Sequence, residues 1–296
     1  MSPGTSAYIG RFAPSPSGAL HFGSLLAALA SFLDARACGG QWLLRMEDLD
    51  PAREPPGAAD QILYLLDHLG LHWDGPVVYQ SERQAAYTDA LEQLREAGLV
   101  FPCDCTRKRM RQLGNVYDGH CRNRPQVPEP HALRMRTENR EITVSDQIQG
   151  CYGQNLSQEC GDFIIRRKDG LIAYQLAVVV DDAWQDISHI VRGFDLLDST
   201  PRQLYLQEKL GLPMPRYAHI PVASDAMGQK LSKQHFARPL DQGRAAEHIH
   251  RALEFLGQAP PPALQQATVK ELLAWGIEHW DIHEVPRLAT IPINED

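Results

Sequence analysis

The sequence predicts an α/β chain: a core built on a parallel sheet, interrupted by an α+β insertion and followed by a short helical extension. Three observations carry that expectation. Residues 8–45 run strand, loop, helix, strand, which is a βαβ unit. At about residue 100 the texture changes to cysteines, basic residues and prolines, and an apolar helical pattern resumes only at Ala173. The expected division is therefore 1–100 with 171–240 as the split core, 101–170 as the insertion, and 241–296 as the helical C-terminal region.

Taken in order, Tyr8–Phe12 reads as the first strand, Ala13–Leu20 as a Pro/Gly/Ser loop, His21–Ala37 as a helix and Gln41–Arg45 as the second strand. Gly57–Leu69 has apolar residues at helical spacing and runs into a turn that ends at Gly75. Val77–Gln80 is a short strand, after which Ser81 is the expected N-cap of a helix over Glu82–Ala97 that Gly98 terminates. Inside the insertion, Ala132–Arg136, Ile142–Ile148 and Asp162–Arg166 read as β runs. Beyond it come a helix over Ala173–Ala183, a strand at Ser188–Val191 and a helix over Ser199–Leu210 with Gly211 past its end. A strand at Tyr217–Val222 follows, and Pro260–Pro262 forms a stiff spacer before a last helix, Val269–Trp280.

With 296 residues, 43% of them hydrophobic, the chain is long enough for about two domains and a sizeable core. A net charge of −8 argues against bulk coating of nucleic acid and makes charge a regional matter. The apolar run Leu25–Leu33 falls short of the roughly 20 residues a bilayer demands and reads as a buried helix face. No basic stretch precedes it as in a signal peptide, so a cytoplasmic protein without a membrane partner is expected. Of the six cysteines, Cys103, Cys105 and Cys121 cluster in a way that favours metal over disulfide, while Cys38, Cys151 and Cys160 are expected to be packing residues.

Where the first loop meets the first helix stands His21-Phe22-Gly23-Ser24. An imidazole, a residue without a side chain and a hydroxyl then lie beside unpaired backbone N–H groups, a setting for the phosphates of a nucleotide. His21 can donate to a phosphate oxygen, and Gly23 lets a base or ribose approach the backbone. Some 200 residues later, Lys230-Leu231-Ser232-Lys233 offers two lysines on a loop, cations that can reach the β- and γ-phosphates of a nucleotide.

Cys103, Cys105 and Cys121 can supply three corners of a tetrahedral zinc site, with Gly119 turning the chain back toward it. For the fourth corner, general metal preference favours His120, and Tyr117 is the other candidate. A metal enclosed by four protein ligands is structural. Around it, residues 107–140 hold nine Arg and Lys (Arg107, Lys108, Arg109, Arg111, Arg122, Arg124, Arg134, Arg136 and Arg140) against Asp118, Glu129 and Glu138, a local charge of +6. Such a patch suits a phosphate backbone.

Gly10-Arg11-Phe12-Ala13-Pro14-Ser15-Pro16-Ser17-Gly18-x-Leu20-His21-x-Gly23, followed by Arg45-Met46-Glu47-Asp48-Leu49-Asp50 and by the Lys-x-Ser-Lys stretch, resembles the paired signatures of class I glutamyl-tRNA synthetases. The resemblance covers residues 1 to about 240 and implies a Rossmann-like catalytic core that uses ATP with magnesium. It further implies that Arg11, Glu47, Tyr174 and the Arg192 of Val-Arg-Gly line a glutamate pocket, with Ala13 and Ser15 in the same loop. His21, Gly23, Ser24, Lys230 and Lys233 are then the ATP and catalytic group.

The Cys-x-Cys, Tyr-x-x-x-Cys arrangement, and the roughly 60 residues after Lys233, resemble the truncated relatives called glutamyl-queuosine tRNA(Asp) synthetases. In those, a tyrosine completes the zinc site, which points to Tyr117 here, and glutamate passes to the queuosine base of tRNA(Asp). A monomer using L-glutamate, ATP and queuosine-bearing tRNA(Asp) is the resulting expectation. A glutamyl-tRNA synthetase that charges a 3′ end, and a non-catalytic paralogue, are the two alternatives that the same residues leave open.

Overall fold

The computed structural model describes residues 7–114, 116–225 and 239–293, so Lys230 and Lys233 lie outside the described residues. Strands β1 (Ile9–Phe12), β2 (Gln41–Met46) and β3 (Val78–Tyr79) form a parallel sheet, with helix α1 (Phe22–Ala37) crossing between β1 and β2 and α2 (Ala58–His68) between β2 and β3. Helix α3 (Gln84–Glu96) leads to β4 (Val100–Cys103), a short α4 (Arg107–Gln112), β5 (Ala132–Met135), the hairpin β6 (Glu141–Asp146) and β7 (Gly150–Asn155), α5 (Leu156–Glu159) and β8 (Phe163–Arg166). The second half supplies α6 (Tyr174–Trp184), β9 (His189–Gly193), α7 (Thr200–Leu210), β10 (Arg216–Ile220) and β11 (Val222–Ser224). Last come α8 (Ala245–Phe255), α9 (Val269–His279) and β12 (Thr290–Pro292), which pairs parallel to β11.

The two halves meet edge to edge. Ser188 N donates to the Ile9 carbonyl at 2.9 Å, and Ile9 N donates to Ser188 Oγ at 2.8 Å. These bonds set β9 beside β1, next to β10, β6 and β7 of the four-stranded sheet. Between β1 and β9 the strand order reverses direction along the chain, and at such a switch point a crevice opens at the carboxyl ends of the strands. The hairpin β6–β7 belongs to this four-stranded sheet, whereas β4, β5 and β8 form an antiparallel sheet of their own, so segment 101–170 is shared between two sheets.

Helix α1 is buried almost throughout, from Leu25 to Ala35, as the apolar run suggested, because α8 and α9 pack against it. Gly276 makes the α9 contact close: a Cβ there would lie 3.2 Å from Leu33 and 3.3 Å from Leu253. Trp280 Nε1 donates to Asp34 Oδ1 at 2.9 Å and fixes the end of the helical extension to α1. A second core joins α3, α6 and α7 to β5, β6 and β8. Helix α8 escaped the sequence reading, although Ala245, Ile249, Ala252 and Leu253 recur at helical spacing and are buried.

Two sequence expectations are corrected. Ser81 does not cap α3; its backbone N and Oγ donate to Asp48 at 2.8 and 2.6 Å, a 3₁₀ turn occupies Gln80–Arg83, and α3 begins at Gln84. Cys38 and Cys151 are exposed and do not serve as packing residues. Among the described residues no helix is long and apolar enough to cross a membrane.

Candidate active site

At the switch point lies a cavity of about 710 Å³. Arg11 and Ala13 reach it from the end of β1, Ser15 from the following loop, and His21, Gly23 and Ser24 from the start of α1. Glu47 arrives from the end of β2, Tyr174 from the first turn of α6 and Arg192 from β9. Every pocket and nucleotide residue named from the sequence and described here therefore lines one cavity. His21 is the extended residue before α1, no side chain caps that helix, and Gly23 and Ser24 of its first turn line the cavity. Glu47 N donates to the Pro14 carbonyl at 2.9 Å and ties the loop to the end of β2.

Behind the cavity wall is a buried ion cluster. Arg11 Nε donates to Asp182 Oδ1 at 3.3 Å and Arg45 Nη2 to the same oxygen at 2.9 Å, while Arg45 Nη2 also lies 3.3 Å from Glu47 Oε1. Arg11 thus pairs with Asp182. Burial works to raise the Asp182 pKa, but the Arg45 and Arg11 guanidinium groups outweigh it and hold the group below the ordinary carboxylate range. For Glu47 burial prevails over the same two arginines, and its pKa is raised. Neighbouring Asp181 accepts from Gln80 Nε2, Arg83 Nε and Tyr87 OH at 2.8, 2.6 and 2.7 Å, which anchors α3 to α6.

On the opposite wall, Arg192 Nη1 donates to Tyr174 OH at 3.4 Å, its Nη2 to Thr200 Oγ1 at 2.9 Å and its Nε to His219 Nε2 at 3.0 Å. His219 Nδ1 bonds Asp146 Oδ2 at 2.6 Å, and neither side chain is exposed. Burial, helped by Arg192 and opposed by Asp146, pushes the His219 pKa down to about 4.

The cysteine cluster lies elsewhere, with Cys103 at the end of β4 and Cys105 and Cys121 in the segment that leads to β5. The Cys103, Cys105 and Cys121 sulfurs all lie within 4.8 Å of one another, and Cys105 and Cys121 are 3.6 Å apart. Sulfurs around a tetrahedral metal at about 2.3 Å stand roughly 3.8 Å apart, so the three thiols fit a metal. Tyr117 OH is 3.7 Å from Cys103 Sγ and accepts from Cys121 N at 2.7 Å, whereas His120 is exposed and its ring nitrogens are outside the cluster.

The basic charges of this region divide by environment. Arg134 is buried, donating to Cys103 Sγ at 3.2 Å and stacked 4.0 Å over the Tyr117 ring. Arg109, Arg122, Arg124 and Arg140 are paired with carboxylates, and Arg136 donates to the Arg122 carbonyl at 2.7 Å over the Phe101 ring. Arg107, Lys108 and Arg111 on α4 carry no ion pair among the described residues, so the uncommitted charge is far smaller than the sequence count suggested.

Residues 9–248 match the family model for the catalytic domain of class I tRNA synthetases (E and Q). A relative from Pseudomonas aeruginosa, a glutamyl-Q tRNA(Asp) synthetase, is 55% identical over 97% of this chain and 98% of its own. The enzyme of the same name from Pseudomonas fluorescens is 54% identical over 97% of each chain. This chain belongs to the glutamyl-Q tRNA(Asp) synthetase family. Among solved structures, the glutamate-tRNA synthetase of Elizabethkingia anophelis aligns with a TM-score of 0.80 and 26% identity, covering 98% of this chain and 68% of that one. The glutamate tRNA ligase of Elizabethkingia meningosepticum, in complex with its amino acid, gives 0.79 and 25% over 96% and 67%.

One cavity residue and several residues that support the cavity went unread in the sequence. Gly193 lines the cavity, and a Cβ there would meet Asp195 Oδ1 at 2.5 Å and Val222 Cγ1 at 3.2 Å, so a larger residue would require the Asp195 side chain to shift. It directly follows Arg192 in the Val-Arg-Gly stretch, which was the available signal. Asp182, Asp146 and His219 carry no motif.

The depressed His219 pKa sets a pH dependence. Between about pH 6.5 and 4 the unfolded chain holds a proton on this residue that the folded chain does not, so stability falls as pH drops through that window. In urea titrations at successive pH values, replacing His219 with Gln should remove a loss on the order of 3 kcal/mol across the window. Parallel curves for both proteins would contradict a buried, neutral His219.

Proposed function

We propose that the chain activates L-glutamate with ATP in the absence of tRNA and transfers it to the queuosine base in the anticodon loop of tRNA(Asp). The observation that carries this reading is the gathering of Arg11, Glu47, Tyr174 and Arg192 with His21, Gly23 and Ser24 in one cavity of a chain of this family. Arg11 and Arg192 supply guanidinium groups for carboxylate recognition, Glu47 an acceptor for the ammonium, and Ala13 and Ser15 loop contacts. A pocket that commits buried cations to a carboxylate leaves charge unpaired when neutral glutamine enters, which gives selectivity.

ATP lies against the start of α1, with His21 donating to phosphate and Gly23 and Ser24 bordering the nucleoside. A glutamate carboxylate oxygen attacks the α-phosphorus, the bond to the bridging oxygen breaks and pyrophosphate leaves. Lys230 and Lys233, outside the described residues, meet the charge that builds on it, and magnesium accompanies the ATP. A hydroxyl of the queuosine diol then attacks the glutamyl carbonyl and AMP departs. The enzyme acts as a cytoplasmic monomer without a membrane partner. Zinc on Cys103, Cys105, Cys121 and Tyr117 holds the loop that bears α4, whose Arg107, Lys108 and Arg111 face the RNA backbone.

The decisive experiment offers labelled glutamate and ATP to tRNA(Asp) with queuosine, without it, and with queuosine but a truncated 3′ end. Label should enter both queuosine-bearing RNAs and not the queuosine-free one. Labelling of full-length RNA regardless of queuosine, with none on the truncated RNA, selects charging of a 3′ end instead.

Elemental analysis of gently purified protein should find one zinc per chain, and Cys105→Ser should release it while glutamate activation persists. Metal-free protein with an ordered, protease-resistant loop between β4 and β5 would remove zinc from the account.

A further inference from the structure

Strands β6, β10 and β9 lie side by side, and their register sets three buried side chains in a row. His219 stands opposite Arg192 across the β10–β9 pair, and Tyr217, two residues before His219, stands opposite Asp146 across β10–β6. Asp146 is fixed by the backbone: its Oδ1 accepts from the N–H groups of Ile148, Gln149 and His219 at 3.0, 2.8 and 3.1 Å. Its other oxygen takes the Nδ1 proton of His219 at 2.6 Å.

The guanidinium Nε–H can only donate, so the Nε2 that meets it at 3.0 Å must be the lone-pair nitrogen of a neutral imidazole. We propose that Asp146 and His219 form a relay that positions Arg192, fixing the plane of its guanidinium so that its Nη1 edge faces the substrate carboxylate beside Tyr174.

The chemistry explains why an imidazole stands between the two charges. A carboxylate placed directly on Arg192 Nε would hold it as firmly but would neutralise the cation and compete with the substrate. A neutral histidine passes on orientation while leaving the positive charge available to the ligand. Asp146 fixes the tautomer, as a carboxylate does behind a metal-bound histidine. Thr200 Oγ1, accepting from Nη2 at 2.9 Å, closes the third side. Arginine has several free torsions, and a cavity of about 710 Å³ offers it other places to go. Recognition of a carboxylate by a planar fork depends on that freedom being removed beforehand. Asp146 and His219 touch no substrate; their role runs through Arg192.

The inference rests on the reading of this cavity as the glutamate pocket, and the test separates the two. Glutamate-dependent ATP–pyrophosphate exchange is measured for wild type, Arg192→Ala, Asp146→Asn, His219→Phe and His219→Gln, with KM determined separately for glutamate and ATP. His219→Phe keeps ring volume and removes the acceptor; it should raise the glutamate KM about tenfold or more and leave the ATP KM within about twofold, because a hydrogen bond to a charged group is lost. His219→Gln, whose carbonyl can accept from Arg192 Nε, should recover most of that loss. Asp146→Asn should raise the glutamate KM too, since an amide donating to Nδ1 drives the proton to Nε2, against Arg192.

If Arg192→Ala raises the glutamate KM while the His219 and Asp146 variants do not, the relay is overturned and the pocket stands. Equal changes in both KM values, or no advantage of Gln over Phe, assign His219 a purely structural role and also overturn it. An unchanged glutamate KM in Arg192→Ala removes the pocket reading and the relay with it. Should His219→Phe fail to fold, Asp146→Asn and His219→Gln still decide.

Discussion

The sharing of one buried carboxylate by two arginines is the contact on which the site depends. Asp182 belongs to α6 of the second half, Arg11 to β1 and Arg45 to β2 of the first, and the segment between them runs through two further sheets. Without Asp182 the Arg11 and Arg45 guanidinium groups would stand close together, buried and short of a counter-charge. Breaking such a pair by removing one partner costs about 3–5 kcal/mol. The cluster therefore locks α6, and with it Tyr174 at its start, against the strand ends that carry Arg11 and Glu47.

The sheet supplies the remaining geometry. Because β9 runs beside β1, the strand ends bearing Arg11 and Arg192 open on the same crevice, and α1 starts at its rim. Charge is organised around that crevice in two ways. On one wall Arg11 is already bound to Asp182, so only part of its hydrogen-bonding edge remains for a ligand. On the other, Arg192 is held by neutral acceptors and keeps its full charge. The proposed substrate, with two carboxylates and one ammonium, would meet complementary walls: a partly neutralised arginine near Glu47 on one side and an unneutralised one near Tyr174 on the other.

The cavity was legible in the sequence where its lining residues are concentrated in short stretches. The run from Gly10 to Ser24, the Arg-Met-Glu around Glu47 and the Val-Arg-Gly around Arg192 each name their residues in contiguous text, and they converge in one cavity. The supporting network was not legible, because Asp182, Asp146 and His219 gain meaning only from strand register and helix packing. The basic insertion was overread for a related reason: a count of charges cannot tell Arg134, buried against Cys103, from Arg107 on an open helix. Ser81 was misread because Asp48, 33 residues away, competes for the same hydroxyl. Helix α8 was missed although its apolar spacing was there to find.

On the proposed reading, the described groups for glutamate activation share one cavity of one chain, and RNA is needed only as acceptor. The most direct test is isotope exchange between pyrophosphate and ATP with no RNA present. Glutamate should support exchange, and glutamine, whose neutral side-chain amide leaves one guanidinium group without a counter-charge, should not. Exchange that appears only when tRNA is added, or that proceeds equally with glutamine, would contradict the account.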